Sequence, residues 1–248
     1  MANVFKFRYI FAVSIALLVL LLSATPLAEG SIVLRIFEQG IQPVELENHR
    51  TRGEALACNR TDKTPSVYGL TGWKLPSTVT YRVSTLSAPF SVRKNLGKIV
   101  GNSFGAWSPL TSGVSFTSGP DTSTSRARYD GQNIVAWRDL SRNLLGVTYI
   151  WYNPDTKTLL DVDTLLNSRH PWSWTNPSSV NVDQACPPTN AYDAQNILTH
   201  ELGHWVGLDD LYSANEEDLT MYGYGAKQEL KKDTLESGDS LGTASIYP

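Results

Sequence analysis

Asn196-Ile197-Leu198-Thr199-His200-Glu201-Leu202-Gly203-His204-Trp205-Val206-Gly207-Leu208-Asp209-Asp210 sets two histidines four residues apart, with a glutamate directly after the first. On an α-helix four residues turn by about 400°, which leaves His200 and His204 about 40° apart and one turn up, so both imidazoles can reach one ion. Glu201 lies about 100° round from His200, near enough to address a water at that ion but off the ligand line, and is placed as a general base. Leu198, Leu202, Trp205 and Val206 make the opposite face, predicted to pack on a core while the polar edge faces a cleft.

A zinc site with two protein ligands is incomplete. Asp210 is the candidate third ligand and Asp209 its rival, with a solvated acidic corner as the plain alternative for both. Were the helix to continue, Asp210 would stand about 15 Å from His200 along its axis, so the chain must turn. Gly207 permits that turn, because glycine takes positive φ without a Cβ penalty. Further on, Leu219-Thr220-Met221-Tyr222-Gly223-Tyr224 returns with a methionine followed by a tyrosine.

The pattern H-E-x-x-H-x-x-G-x-x-D followed by a methionine resembles the metzincin metallopeptidases, with aspartate where a third histidine is more usual. Met221-Tyr222 is similar to the methionine turn of the matrixins. Tyr68 to Val83, the helix ending Ala106-Trp107-Ser108, Val114 to Thr117 and Asp161-Val162-Asp163 are also similar to the matrixin catalytic domain, above all in its prokaryotic members. The resemblance implies an α+β fold: a twisted, mainly parallel five-stranded mixed sheet with one antiparallel edge, a long helix A, the active-site helix and a C-terminal helix near 238–247. It implies one catalytic Zn2+ held by His200, His204 and Asp210, with Met221 beneath the metal and Glu201 activating water at the fourth position. It implies an endopeptidase, which the leader described below would make a secreted one, whose protein or peptide substrate lies extended along an edge strand around Gly146 to Tyr149, over a pocket near Tyr222 and Tyr224. Two features depart from the animal members: only His49 and His170 remain to form a structural-zinc cluster, and no pro-segment cysteine motif surrounds Cys58.

Outward from the motif, Val79 to Val83 reads as a strand, and Val92, Leu96, Ile99, Val100, Phe104 and Trp107 recur at helical steps, predicting helix A over 91–107. Val114 to Thr117, Asn133 to Trp137, Val147 to Tyr152 and Leu159 to Leu166 read as further strands, and 168–192 as a long loop. Residues 1–30 carry Lys6 and Arg8, then an apolar run from Ile10 to Leu22 and small residues, the layout of a signal peptide. That run falls short of the ~20 residues that span a bilayer, so membrane anchoring is the alternative only if the leader is uncleaved. Residues 31–64 are assigned to a short pro-segment or N-terminal arm and 65–248 to the catalytic domain.

The 248 residues carry a net charge of −3 with no basic stripe, which argues against nucleic-acid binding. A monomer is expected. Export would permit Cys58 and Cys186 to form a disulfide; Cys58 capping the metal and two free thiols are the other readings. Asn59-Arg60-Thr61 is a glycosylation sequon. Asp161, Asp163 and Asp130 to Asn133 offer hard oxygens for Ca2+ but lack a loop signature, so calcium is not predicted. Gly238-Asp239-Ser240-Leu241-Gly242 fits a serine-nucleophile pattern, yet no acid or histidine follows it, and a terminal helix capped by Ser237 with Leu241 and Ile246 inward is the better reading. A non-catalytic zinc-binding module is the rival to the peptidase, and the presence of Glu201 argues against it.

Overall fold

The computed structural model describes residues 31–43, 66–176 and 190–248. The leader, Cys58 and Cys186 lie outside the described residues. Five strands build the centre: β3 (Thr78–Val83), β4 (Ser115–Ser118), β5 (Asn133–Arg138), β6 (Leu144–Asn153) and β7 (Thr158–Asn167). They lie in the order β4-β3-β5-β7-β6, all parallel except β6, which runs antiparallel to β7. This is the expected α+β sheet.

Two strands extend it beyond β6. β1 (Val33–Ile41) pairs antiparallel with β6 from Val33 opposite Tyr152 to Gly40 opposite Leu144, and β11 (Tyr224–Gly225) pairs parallel with the end of β1. The expected open edge at Gly146 to Tyr149 is therefore covered by the chain's own N-terminal arm. Alternation explains why: Phe37 and Gln39 face inward and are buried, whereas Leu34, Ile36 and Glu38 face out. Four two-residue strands complete the set, β2 (Gly69–Leu70) with β10 (Leu208–Asp209), and β8 (Trp172–Ser173) with β9 (Tyr192–Asp193).

One face of the sheet carries α2 (Leu96–Trp107) and α3 (Ala194–Val206), which pack on each other. The core between layers joins Val79, Tyr81, Val135, Trp137, Ile150 and Val162 from strands to Ile99, Phe104, Trp107, Leu198 and Leu202 from helices. Helix A is broken: α1 (Phe90–Arg93) ends at Lys94, and Asn95 precedes α2 with φ −105° and ψ 4°. Asparagine competes for backbone hydrogen bonds and favours helix boundaries, while Arg93 folds back onto the Ala88 carbonyl. The apolar face survives the break, with Val92 buried alongside Leu96 and Ile99.

α4 (Ser237–Ile246) closes the chain and absorbs Ser240 into its first turns, where the Ser240 N–H donates to the Glu236 carbonyl. Two expectations are corrected here. Glu236, not Ser237, is the cap, in a reciprocal box with Asp239. Leu241 is exposed, because the inward face is made by Gly238 and Gly242, which let the helix backbone approach Val67 and Leu208. Asp161 and Asp163 act as staples for the loop before β5: Asp161 accepts from the N–H groups of Asp130 and Gly131, and Asp163 from Arg128 and Ile134. Burial pushes the Asp163 carboxyl up to about 8.

Candidate metal centre

The helix that carries the motif is fixed at both ends. At its start Asp193 caps α3, its side chain accepting from the N–H groups of Gln195 and Asn196, while its second oxygen takes the Thr175 N–H. At its end Gly207 adopts φ 105°, and its N–H returns to the Gly203 and His204 carbonyls. A Cβ at Gly207 would lie 2.6 Å from the Trp73 carbonyl oxygen as well as in a disfavoured backbone region. Gly207→Ala is expected to lose about 2–4 kcal/mol of unfolding free energy. Urea unfolding of the two proteins checks this, and a loss below about 0.5 kcal/mol would contradict it.

After the turn, β10 pairs Asp209 with Gly69, and the Leu211 N–H donates to the Met221 carbonyl while Gly223 donates to Leu211. This brings Asp210, and not Asp209, to the histidines. Asp210 Oδ1 lies 3.3 Å from His200 Nε2 and 3.5 Å from His204 Nε2. Asp209 is turned to its own neighbour, accepting the Asp210 N–H.

The ring orientations follow from their outer nitrogens. His200 Nδ1 is 2.8 Å from the Thr220 carbonyl and His204 Nδ1 3.0 Å from the Leu208 carbonyl. A carbonyl can only accept, so both rings are assigned as Nδ1–H tautomers with an Nε2 lone pair free to ligate. Burial pushes His204 down to about 4, which keeps its ring neutral. Burial works to raise Asp210, but His204 and His200 outweigh it and hold the carboxyl below its ordinary value. His200 Nε2, His204 Nε2 and Asp210 Oδ1 are all buried without a hydrogen-bond partner. Three converging ligand atoms of this kind, within 4.8 Å of one another, are placed to share one cation. The set of two imidazoles and a carboxylate suits zinc.

Glu201 stands on the neighbouring face of α3. Its Oε2 accepts from Thr148 Oγ1 at 2.5 Å on β6, while Oε1 has no partner. The donors line up in one direction: Trp205 Nε1 donates to Thr164, Thr164 to Thr148, and Thr148 to Glu201. Burial pushes the Glu201 carboxyl up to about 7.

Glycines make room around these groups. A Cβ on Gly146 would fall 2.3 Å from Glu201 Oε1, and one on Gly203 would fall 2.1 Å from the Met221 sulfur. Met221 thus packs beneath the histidine helix, as its place in the sequence implies. The polar edge of α3 does not face open solvent, since every residue of the helix is buried. Phe37 of β1 is one reason, its ring stacked on His204 with centroids 4.3 Å apart.

Sequence reasoning missed Thr148, Tyr212 and Phe37. Tyr212 donates its hydroxyl to Asp210 Oδ2, orienting the carboxylate from a loop whose sequence carries no pattern. Tyr222 is buried and its ring lies beside Tyr224 and the Lys232 ammonium. His170 is held elsewhere, a ring nitrogen 3.0 Å from the Leu144 carbonyl.

The matrixin family model matches residues 72–248, a span that contains the five central strands, the histidine helix and the methionine turn. The chain belongs to the matrixins. No curated protein matches it. Matrixins are zinc-dependent metallopeptidases, hydrolases that act on protein or peptide substrates, and the three converging ligand atoms of this matrixin suit the zinc such enzymes use.

Proposed function

We propose that this matrixin is a secreted endopeptidase in which His200, His204 and Asp210 hold one zinc ion and Glu201 is the general base. The observation that carries the proposal is the set of unpartnered buried atoms: two Nε2, one Oδ1 and, beside them, Glu201 Oε1. A pure binding site has no use for that last carboxylate.

When bound, zinc supplies a Lewis acid for the substrate carbonyl and an acidified water. Glu201 Oε1 takes a proton from the attacking water, and Thr148 holds Oε2 so that the free oxygen keeps its aim. The same carboxyl then delivers the proton to the departing amine nitrogen. Tyr212 fixes the Asp210 rotamer, and the Thr220 and Leu208 carbonyls fix the two imidazoles. An extended polypeptide would pair along β6 beside Glu201, with a side chain directed toward Tyr222 and Tyr224. Secretion is supported by the signal-peptide layout of the sequence at 1–30.

The proposal is tested by purified protein with zinc content and cleavage of an unfolded protein measured together. One zinc per chain, and cleavage that disappears with a chelator and returns with zinc, is expected; a zinc-loaded protein that cleaves nothing under any condition would overturn it. The ligand assignment has its own test. Asp210→Ala is expected to weaken zinc binding at least 100-fold in a chelator competition, and Tyr212→Phe about 10-fold through lost orientation. Asp209→Ala should leave the affinity within about a factor of three, and a loss equal to that of Asp210→Ala would contradict the assignment.

A further inference from the structure

The turn that leads into β6 carries positive charge, and its distance from the catalytic centre follows from strand geometry. Gly146 abuts Glu201, where a Cβ would fall 2.3 Å from Oε1. Counting back along β6 at about 3.3 Å per residue puts Leu144 about 7 Å upstream, with the turn of residues 139–143 directly beyond it. Extended backbone on this edge reaches the turn, since the Ile41 N–H donates to the Asn143 carbonyl at 3.0 Å. A polypeptide paired along β6 therefore brings side chains beside the turn about two to four residues from the bond to be cleaved.

The turn is held from within. Asn167, fully buried at the end of β7, donates through Nδ2 to the Ser141 and Leu144 carbonyls, and its Oδ1 accepts the N–H groups of Leu140 and Arg169. The His170 ring, anchored on the Leu144 carbonyl, meets Tyr192 edge-on. On this frame Asp139, Arg142, Arg169 and His170 line an open depression.

Its charges do not cancel. Arg169 pairs with both carboxylate oxygens of Asp139, which uses up the one carboxylate that lines the depression. Lys227 donates to Asn190 Oδ1 at 2.5 Å and stands close enough to act on His170. Burial chiefly, with the Lys227 ammonium adding to it, holds the His170 imidazole below its ordinary value. Among the described residues no carboxylate pairs with Arg142 or Lys227. In a chain of net charge −3 the excess is local, and it sits at one end of the groove.

We infer that this depression is a charge-selective subsite of the substrate groove, in which Arg142, with Lys227 beside it, takes an aspartate or glutamate side chain of the polypeptide. This rests on the peptidase reading above. A guanidinium presents paired N–H donors that match a carboxylate, and Arg142 projects from a turn already fixed by Asn167. One exposed ion pair is worth up to about fivefold in binding, so two cations acting on one carboxylate should give about tenfold. The attraction is present before and during the reaction alike, so it enters through KM rather than kcat.

The test uses the full-length, zinc-loaded chain and peptides built on a bond that it cleaves in an unfolded protein, with Glu, Gln or Lys placed in turn at each flanking position. At a position about two to four residues from the bond, Glu should exceed Lys about tenfold in kcat/KM, chiefly through KM. The margin should shrink to about two- to threefold as ionic strength rises from about 0.05 to about 0.5 M. Arg142 is exposed, and Arg142→Glu should invert the order at that position in favour of Lys. Lys98→Glu, on the exposed side of α2, makes the same change in net charge and should leave the order as in the wild type. A chain that cleaves with no charge preference at any position, or with one that Arg142→Glu leaves unchanged or Lys98→Glu inverts equally, overturns the inference and leaves the peptidase reading standing. A zinc-loaded chain that cleaves no bond at all overturns the peptidase reading, and the inference with it.

Discussion

Glu201→Gln is expected to keep one zinc per chain and lose about 10²–10⁴-fold in kcat/KM, the range that general-base catalysis supplies. The substitution is conservative in the right way. Its amide oxygen can still accept the Thr148 hydroxyl, so the Trp205, Thr164 and Thr148 series that aims the side chain is preserved. Its volume matches the pocket left by Gly146. What disappears is the capacity to take a proton, and neither histidine can replace it because both Nε2 atoms are directed at the ligand position. Zinc content and kcat/KM measured on the same preparation check the outcome. Loss of zinc together with activity would assign Glu201 to binding, and retention of activity would place the base elsewhere.

Lys232→Met is expected to be the most damaging change outside the metal centre, at about 3–5 kcal/mol of stability. Lys232 is fully buried; its ammonium donates to the Tyr224 carbonyl at 2.9 Å, pairs with Glu229 and faces the Tyr222 ring. Glu229 also accepts from the Ala226 N–H and from Asn196, and Asn196 in turn accepts the Lys232 N–H at 2.7 Å. The pair therefore ties the segment after Tyr224 to the first turn of the histidine helix. Deleting one partner leaves a buried carboxylate alone, so Lys232→Met combined with Glu229→Gln should recover most of the loss.

The pH dependence of that pair has a definite sign. Burial works to raise the Glu229 carboxyl, but Lys232 and Lys231 outweigh it and hold it at about 2, below its ordinary 4.5. A depressed carboxyl contributes stability that is complete above about pH 4.5 and lost as pH falls toward 2. In Lys232→Met the carboxyl loses the larger of its two lysine partners, so its protonation comes at a higher pH and relieves the defect. The gap between wild type and variant should be widest near neutrality and narrow by pH 3, and urea unfolding at several pH values measures it. A gap that widens on acidification would contradict the account.

The metal centre was legible because helical spacing is a rigid ruler. His200, Glu201 and His204 follow from residue count alone, and the need for a chain reversal made Gly207 interpretable. The choice between Asp209 and Asp210 was not legible from spacing, since it depends on how β10 pairs with β2, a contact between residues more than a hundred positions apart. The central strands were visible as β-branched runs, while helix A was drawn too long because Val92 keeps the periodicity through the break at Asn95. β1 escaped for a different reason. Only two of its side chains, Phe37 and Gln39, are buried, so its apolar content resembles a loose arm, and its place depends on backbone pairing with β6, to which side-chain patterns are blind. Thr148 and Tyr212 act through single hydroxyls, and one hydroxyl leaves no periodic trace.

Covering β6 also determines which backbone groups the molecule offers to other chains. A free strand edge recruits foreign strands without regard to sequence, and β6 is ten residues long. With β1 docked, the outermost strand is instead one whose end is closed by β11 and whose course is kinked at Gln39, a poorer template for stacking. Without β1 the ten-residue β6 would be the outer strand of the sheet, so a chain lacking the arm would carry a long unpaired edge and a greater tendency to self-associate.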